Sequence, residues 1–142
     1  MRDFVKMFHV SNETRIVDVG GTPFNWELID LAPDVTLVNI SGKEWKRPRM
    51  RMIVCDGRKL PFGDKTFDVC YSNSVIEHVG SWEDQQRFAA EVRRMAPQYY
   101  VQTPDRYCVV EPHLLTPFIH FLPRGIARKL MRNFKSIIAI RK

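Results

Sequence analysis

Three apolar runs in this chain each end on side chains that can hold a polar ligand. Ile16, Val17 and Val19 form the first run, and Asp18, Gly20 and Gly21 sit where it turns. Val35 to Ile40 is the second and carries Asn39 at its end; Met50 to Cys55 is the third and leads into Asp56 and Gly57. Open α/β sheets bind nucleosides in a crevice outside the carboxyl ends of their strands, so this layout is that of a nucleoside-binding crevice. The glycines allow a sharp turn and a close approach of backbone to ligand. The residues therefore point to a cofactor-dependent enzyme.

Positioning these groups requires strands at Arg15 to Val19, Val35 to Ile40, Met50 to Cys55, Phe67 to Ser72 and Gln98 to Gln102, with a last one at Ser136 to Ile140. Phe24 to Leu31 reads as a short helix between Pro23 and Pro33. Ser41 to Arg49 contains Gly42 and Pro48 and is a poor helix, and Asp56 to Thr66 is a loop. The strongest helix starts after Ser81, with Asp84 three residues on as a capping box, and stops before Pro97. Arg124 to Phe134 reads as an amphipathic helix. Strands alternating with helices or long connections predict an α/β, Rossmann-like, doubly wound sheet. Five strands are expected to be parallel, with the C-terminal one antiparallel. Ser41 to Arg49 is short for a parallel crossover, which leaves part of one sheet face thinly covered.

The 142 residues are expected to form one domain. Residues 1–14 would be an N-terminal covering segment and residues 104–135 would lie on the acceptor side. No apolar run has the length of a membrane span and no signal peptide is visible, so a cytoplasmic protein is expected. Cys55, Cys70 and Cys108 are widely spaced and odd in number, offering neither a metal pair nor a disulfide framework. The net charge is +6, and Lys43 to Arg51 holds five basic residues and one acid. Arg124 to Lys142 is also rich in basic residues and has no acid. Such patches bind nucleic acid or anionic lipid, or simply solvate a surface.

The segments VDVGGTP (Val17 to Pro23), VNIS (Val38 to Ser41) and CDGRKLPFGDKTFDVCYSNSVIEHVG (Cys55 to Gly80) carry a family resemblance. In their order the chain resembles the class I S-adenosylmethionine-dependent methyltransferases, particularly the small type 11 group, in a trimmed form. The resemblance continues through Thr103 to Pro123. It departs where Thr22 and Phe24 take the later glycine positions of the usual loop and where Asn39 replaces an acidic residue.

The resemblance implies S-adenosylmethionine as cofactor and no metal. It implies that the cofactor's amino-acid moiety lies over Gly20 and Gly21, with Asp18 beneath helping to position its ammonium group. Asn39 would hold ribose hydroxyls, Asp56 would accept from the adenine amino group, and Gly57 would lie against the ring edge. Asn73 and Ser74 would face the reacting methyl. A general base helps only if the acceptor starts protonated; the candidates are His78 and His113, with Glu77 and Glu111 nearby in sequence.

The expected reaction is methyl transfer to a small-molecule, lipid or glycan-precursor acceptor. One alternative is a non-catalytic or weakly active scaffold; another is a nucleic-acid methyltransferase using the basic patches. A nicotinamide-dependent dehydrogenase is disfavoured because no G-x-G-x-x-G follows the first strand. The thinly covered sheet face, or the basic amphipathic segment Arg124 to Phe134, which suits a partner chain or an anionic membrane, leads us to expect a homodimer burying apolar surface from one of these regions, against a monomer in which Met1 to Val10 folds back over the bare face.

Overall fold

The computed structural model describes residues 1–103, 110–111 and 116–117. The chain divides into two compact units, Met1–Thr103 and Pro104–Lys142. The first is built on six strands: β1 (Arg15–Val19), β2 (Asp34–Asn39), β3 (Trp45–Arg47), β4 (Met50–Val54), β5 (Val69–Asn73) and β6 (Gln98–Gln102). Their spatial order is β3-β4-β2-β1-β5-β6. All neighbours are parallel except β3 and β4. The order reverses between β1 and β5, which is the switch point at which such sheets open a crevice. In the second unit, β7 (Val110–Glu111) pairs antiparallel with β8 (Thr116–Pro117).

The antiparallel member among the described residues of the main sheet is β3, inside the segment expected to be a plain connection. The chain returns from β2 as this edge strand and turns at Pro48–Arg49 into β4, with Arg47 opposite Met50. A short edge strand thus serves where a crossover helix would not fit. Arg49 takes a positive φ of 62° in that turn. The expected strand at Ser136 to Ile140 and the helix at Arg124 to Phe134 lie outside the described residues.

Alternation along the strands sends side chains to two apolar layers. On one face Val17, Val19, Val38 and Cys70 pack against Phe88, Val92 and Met95 of α2 (Trp82–Met95). The expected capping box starts this helix: Ser81 Oγ accepts from the Asp84 amide and Asp84 Oδ2 from the Ser81 amide, both at 3.2 Å. No helix covers the passage from β4 to β5. Instead Leu60 and Phe67 anchor it to the sheet, and α2 holds its backbone. Arg94 donates to the Phe62 carbonyl at 2.7 Å and the Leu60 carbonyl at 3.1 Å, while Glu91 accepts from the Leu60 amide at 2.6 Å.

The opposite face carries Ile16, Val35, Leu37, Val69 and Tyr71. It is covered by α1 (Arg2–Met7), through Phe4, and by a 3-10 helix over Pro23–Leu28, through Trp26. Phe4, Trp26, Tyr71 and Tyr100 form an aromatic cluster, with Tyr71 and Tyr100 stacked at 5.5 Å. The N-terminal segment therefore folds back over this face of the sheet at the β5–β6 side, where Phe4 meets Tyr71 and Tyr100. The expected helix at Phe24 to Leu31 is this tighter and earlier 3-10 turn, opened by Pro23 at its first position.

Candidate functional site

A pocket of about 180 Å³ opens at the carboxyl ends of β1, β2 and β4. Of the residues singled out in the sequence, it brings together Gly20, Asn39, Asp56, Gly57 and His78. Its apolar walls come from Val38, Ile40, Val79 and Phe88. Val38, Ile40 and Val79 fall within the family motifs but have no role assigned there, and Phe88 lies outside the motifs, where its spacing marks it as ordinary helix core.

Gly20 is at φ +83°, a conformation that a side-chain-bearing residue rarely adopts. Its amide donates to the Val38 carbonyl at 2.7 Å, so the turn is stitched to the end of β2. A side chain here would run into Val75. The Asn39 amide donates to the Gly20 and Gly21 carbonyls, both at 3.4 Å. These bonds are long; they steady the turn and orient the amide at the pocket edge.

Asp18 does not line the pocket. It is 1% exposed, and strand alternation sends it to the face opposite Val19 and Val38. There it lies in register with Leu37 of β2 and Tyr71 of β5. Its carboxyl occupies the space directly beneath Gly21, where any Cβ would overlap it. Trp26 Nε1 donates to Asp18 Oδ2 at 2.8 Å. Burial pushes the Asp18 carboxyl up to about 7, partly offset by the Trp26 hydrogen bond. The neighbouring Cys70 and Tyr71 are both pushed up to about 12, by burial first and by the Asp18 charge second.

Asp56 is at the pocket but already engaged. Its Oδ1 accepts from the Arg58 amide at 2.9 Å and from Arg58 Nε at 3.0 Å. Its Oδ2 accepts from Arg58 Nε at 3.0 Å and Nη2 at 2.6 Å. These bonds hold the Asp56 carboxyl below the usual carboxylate range. Four contacts use the roughly four lone-pair positions that a carboxylate offers, so a base amino group would have to share or displace Arg58. Arg58 also reaches Asp84 Oδ1 at 2.9 Å, tying the loop after β4 to the start of α2. Sequence reading missed this because Asp-Gly-Arg looks like a turn.

His78 lines the pocket mouth and is well exposed, with its Nε2 4.0 Å from Glu77 Oε1. Both Glu77 carboxylate oxygens are buried and accept no hydrogen bond. Asn73 stands at the exposed end of β5, outside the pocket walls, and accepts from the Ser74 hydroxyl at 3.3 Å. Ser74 has a φ of +55° at the switch point. Of the acceptor-side segment expected at residues 104–135, only β7, which holds Glu111, and β8 are described; His113 lies outside the described residues. Among the described residues no group of His, Cys, Asp or Glu is placed to hold a metal ion, and no helix is long and apolar enough to cross a membrane.

A family model described as a methyltransferase domain matches residues 19–98, which contain the pocket walls. No curated protein matches the chain. Among solved structures, a protein from Anabaena variabilis described as a methyltransferase of an antibiotic biosynthesis pathway is 18% identical, with a TM-score of 0.63 over 94% of this chain and 59% of its own. The PH0226 protein from Pyrococcus horikoshii is 25% identical, with a TM-score of 0.55 over 70% of this chain and 53% of its own. A phosphoethanolamine N-methyltransferase from Haemonchus contortus, in complex with phosphomonomethylethanolamine and S-adenosylhomocysteine, is 18% identical. Its TM-score is 0.52, over 67% of this chain and 25% of its own. This chain thus spans less than two thirds of the length of each of these relatives.

Proposed function

We propose, from the premise that this chain belongs to the methyltransferase domain family, that it binds S-adenosylmethionine at the strand-end pocket and transfers its methyl group. The acceptor in this reading is a small molecule, lipid or glycan precursor. The observation that carries it is the gathering of Gly20, Asn39, Asp56, Gly57 and His78 around one pocket, within the matched residues. The donor set fits the nucleoside half of that cofactor. Val38, Ile40, Val79 and Phe88 offer apolar surface for a purine, and Asn39 offers an amide for hydroxyl groups.

The cofactor supplies an already activated sulfonium methyl, so the protein's contribution is alignment and exclusion of water. The Gly20–Gly21 turn lets the backbone approach the ligand. Arg58 fixes Asp56 and joins the pocket loop to α2. His78, at the mouth, accepts a proton where the acceptor begins protonated. The Haemonchus enzyme acts on a phosphorylated amine, which lies within the small-molecule class of this proposal.

S-Adenosylmethionine or S-adenosylhomocysteine should raise the melting temperature. At one hundred times Kd the gain is about 2.7 kcal/mol, a shift of several degrees for a protein of this size. No shift and no calorimetric heat at millimolar ligand would overturn the assignment. Transfer of labelled methyl to a panel of acceptors then tests the reaction itself.

The β3 edge favours a second reading, a nucleic-acid acceptor. Lys46 and Arg47 lie on β3, with Lys43 just before it, Arg49 in the turn after it and Arg51 on β4, and among the described residues none of the five is in an ion pair. Arg47 lies over the Trp45 ring at 4.8 Å. RNA binding that weakens steeply with salt would support it.

A further inference from the structure

We propose that Trp26 is a positioning residue for the cofactor: its indole N–H holds the Asp18 carboxylate beneath the Gly20–Gly21 turn, where that charge steadies a cationic group resting on the turn. This rests on the proposed cofactor and goes beyond it by assigning a role to a residue that no motif contains.

The argument starts from cost. A buried carboxylate is unfavourable unless its charge is matched or well hydrogen-bonded. Among the described residues Asp18 has no cationic partner, and Trp26 is the one donor to its side chain. The groups around it do not supply a charge. Leu37 and Tyr71 flank it in register on the two neighbouring strands. The titratable neighbours Cys70 and Tyr71 are held neutral well above physiological pH. A solitary buried acid with one neutral donor is poorly explained as a device for stability. It is explained by a cationic ligand group that completes it through the turn above.

Trp26 is itself built for placement. It is 4% exposed. Its ring meets Phe4 edge-on at 6.0 Å and Tyr71 edge-on at 5.7 Å, so the indole cannot easily rotate. The 3-10 turn opened by Pro23 brings it back to the strand it left eight residues earlier. Gly21 completes the arrangement, since only a residue without Cβ leaves room for the carboxyl below it.

The test compares two ligands that share the adenosine thioether but differ in the amino-acid end: S-adenosylhomocysteine, which carries the ammonium, and methylthioadenosine, which lacks it. Trp26→Phe removes the N–H and keeps an aromatic ring. It should weaken S-adenosylhomocysteine about tenfold, the value of one such interaction, and leave methylthioadenosine within about twofold. Asp18→Asn keeps an acceptor for Trp26 and removes the charge; it should show the same selective loss even if Trp26→Phe folds poorly. The double variant should lose little more than either single one. Equal weakening of both ligands would assign Trp26 a merely structural role and overturn the proposal, as would unchanged binding of both. Wild-type protein that binds neither ligand would overturn the cofactor assignment itself, and this inference with it.

Discussion

Asp18→Asn should make the ligand-free protein more stable at pH 7 and above, and leave its stability unchanged near pH 4. Burial raises the Asp18 carboxyl from 3.8 to about 7 in the folded state. Between those values the folded protein holds a proton that the unfolded chain has released. Stability therefore falls as pH rises through this window, and the loss is complete above the folded value. Three units correspond to an upper limit on the order of 4 kcal/mol. Asparagine is neutral throughout and keeps an oxygen for the Trp26 N–H, so it escapes this cost. Thermal melts at pH 4, 7 and 8.5 check the result; a gain of more than about 5 °C at pH 8.5 is expected. A variant no more stable than the parent at pH 8.5 would show that the acid is not strained in the folded state. Paired with the selective loss of S-adenosylhomocysteine binding, the gain would mark Asp18 as a residue kept for ligand binding at the expense of stability.

Gly21→Ala should destabilise the fold, and Asp18→Ala should rescue it. An alanine Cβ at position 21 would come within 2.6 Å of Asp18 Oδ1 and closer still to the rest of the carboxyl. That is an overlap with a buried group packed against Trp26, which cannot swing into solvent. Overpacking of this kind costs about 1–3 kcal/mol. Truncating Asp18 removes the obstacle, so the double variant should be more stable than Gly21→Ala alone. Urea midpoints of the parent, both single variants and the double variant give the coupling directly. If the two changes simply add, the carboxyl does not lie under the turn and the Trp26 proposal loses its geometric basis.

Most of the framework is legible in the sequence because its signals are local. Val and Ile runs that break at Gly20, Asn39 and Asp56 mark strand ends through propensity and turn chemistry, which act over a few residues. The Ser81–Asp84 cap and Pro97 bound α2 for the same reason. Proline at Pro23 marks the start of a turn, but whether it tightens into a 3-10 helix depends on how Trp26 packs. The edge strand β3 carried no helical or strand pattern of its own. It forms because β4 presents an open row of backbone groups to Trp45 to Arg47, a pairing that no local rule contains.

The residue types at the site were written in the sequence; what each one touches was decided by the tertiary structure. Asp56 was readable as a strand-end acid, yet only folding shows it saturated by Arg58, and Arg58 tied in turn to Asp84 across the pocket loop. Asp18 was readable beside its glycines, yet the alternation of β1 turns it away from the pocket, and the aromatic layer of α1 and the 3-10 turn supplies its partner. The physical reason is range. Backbone preference and periodicity are settled between near neighbours in sequence. Burial, and the hydrogen bonds and charges that burial makes decisive, are settled between elements that meet only when the two faces of the sheet close.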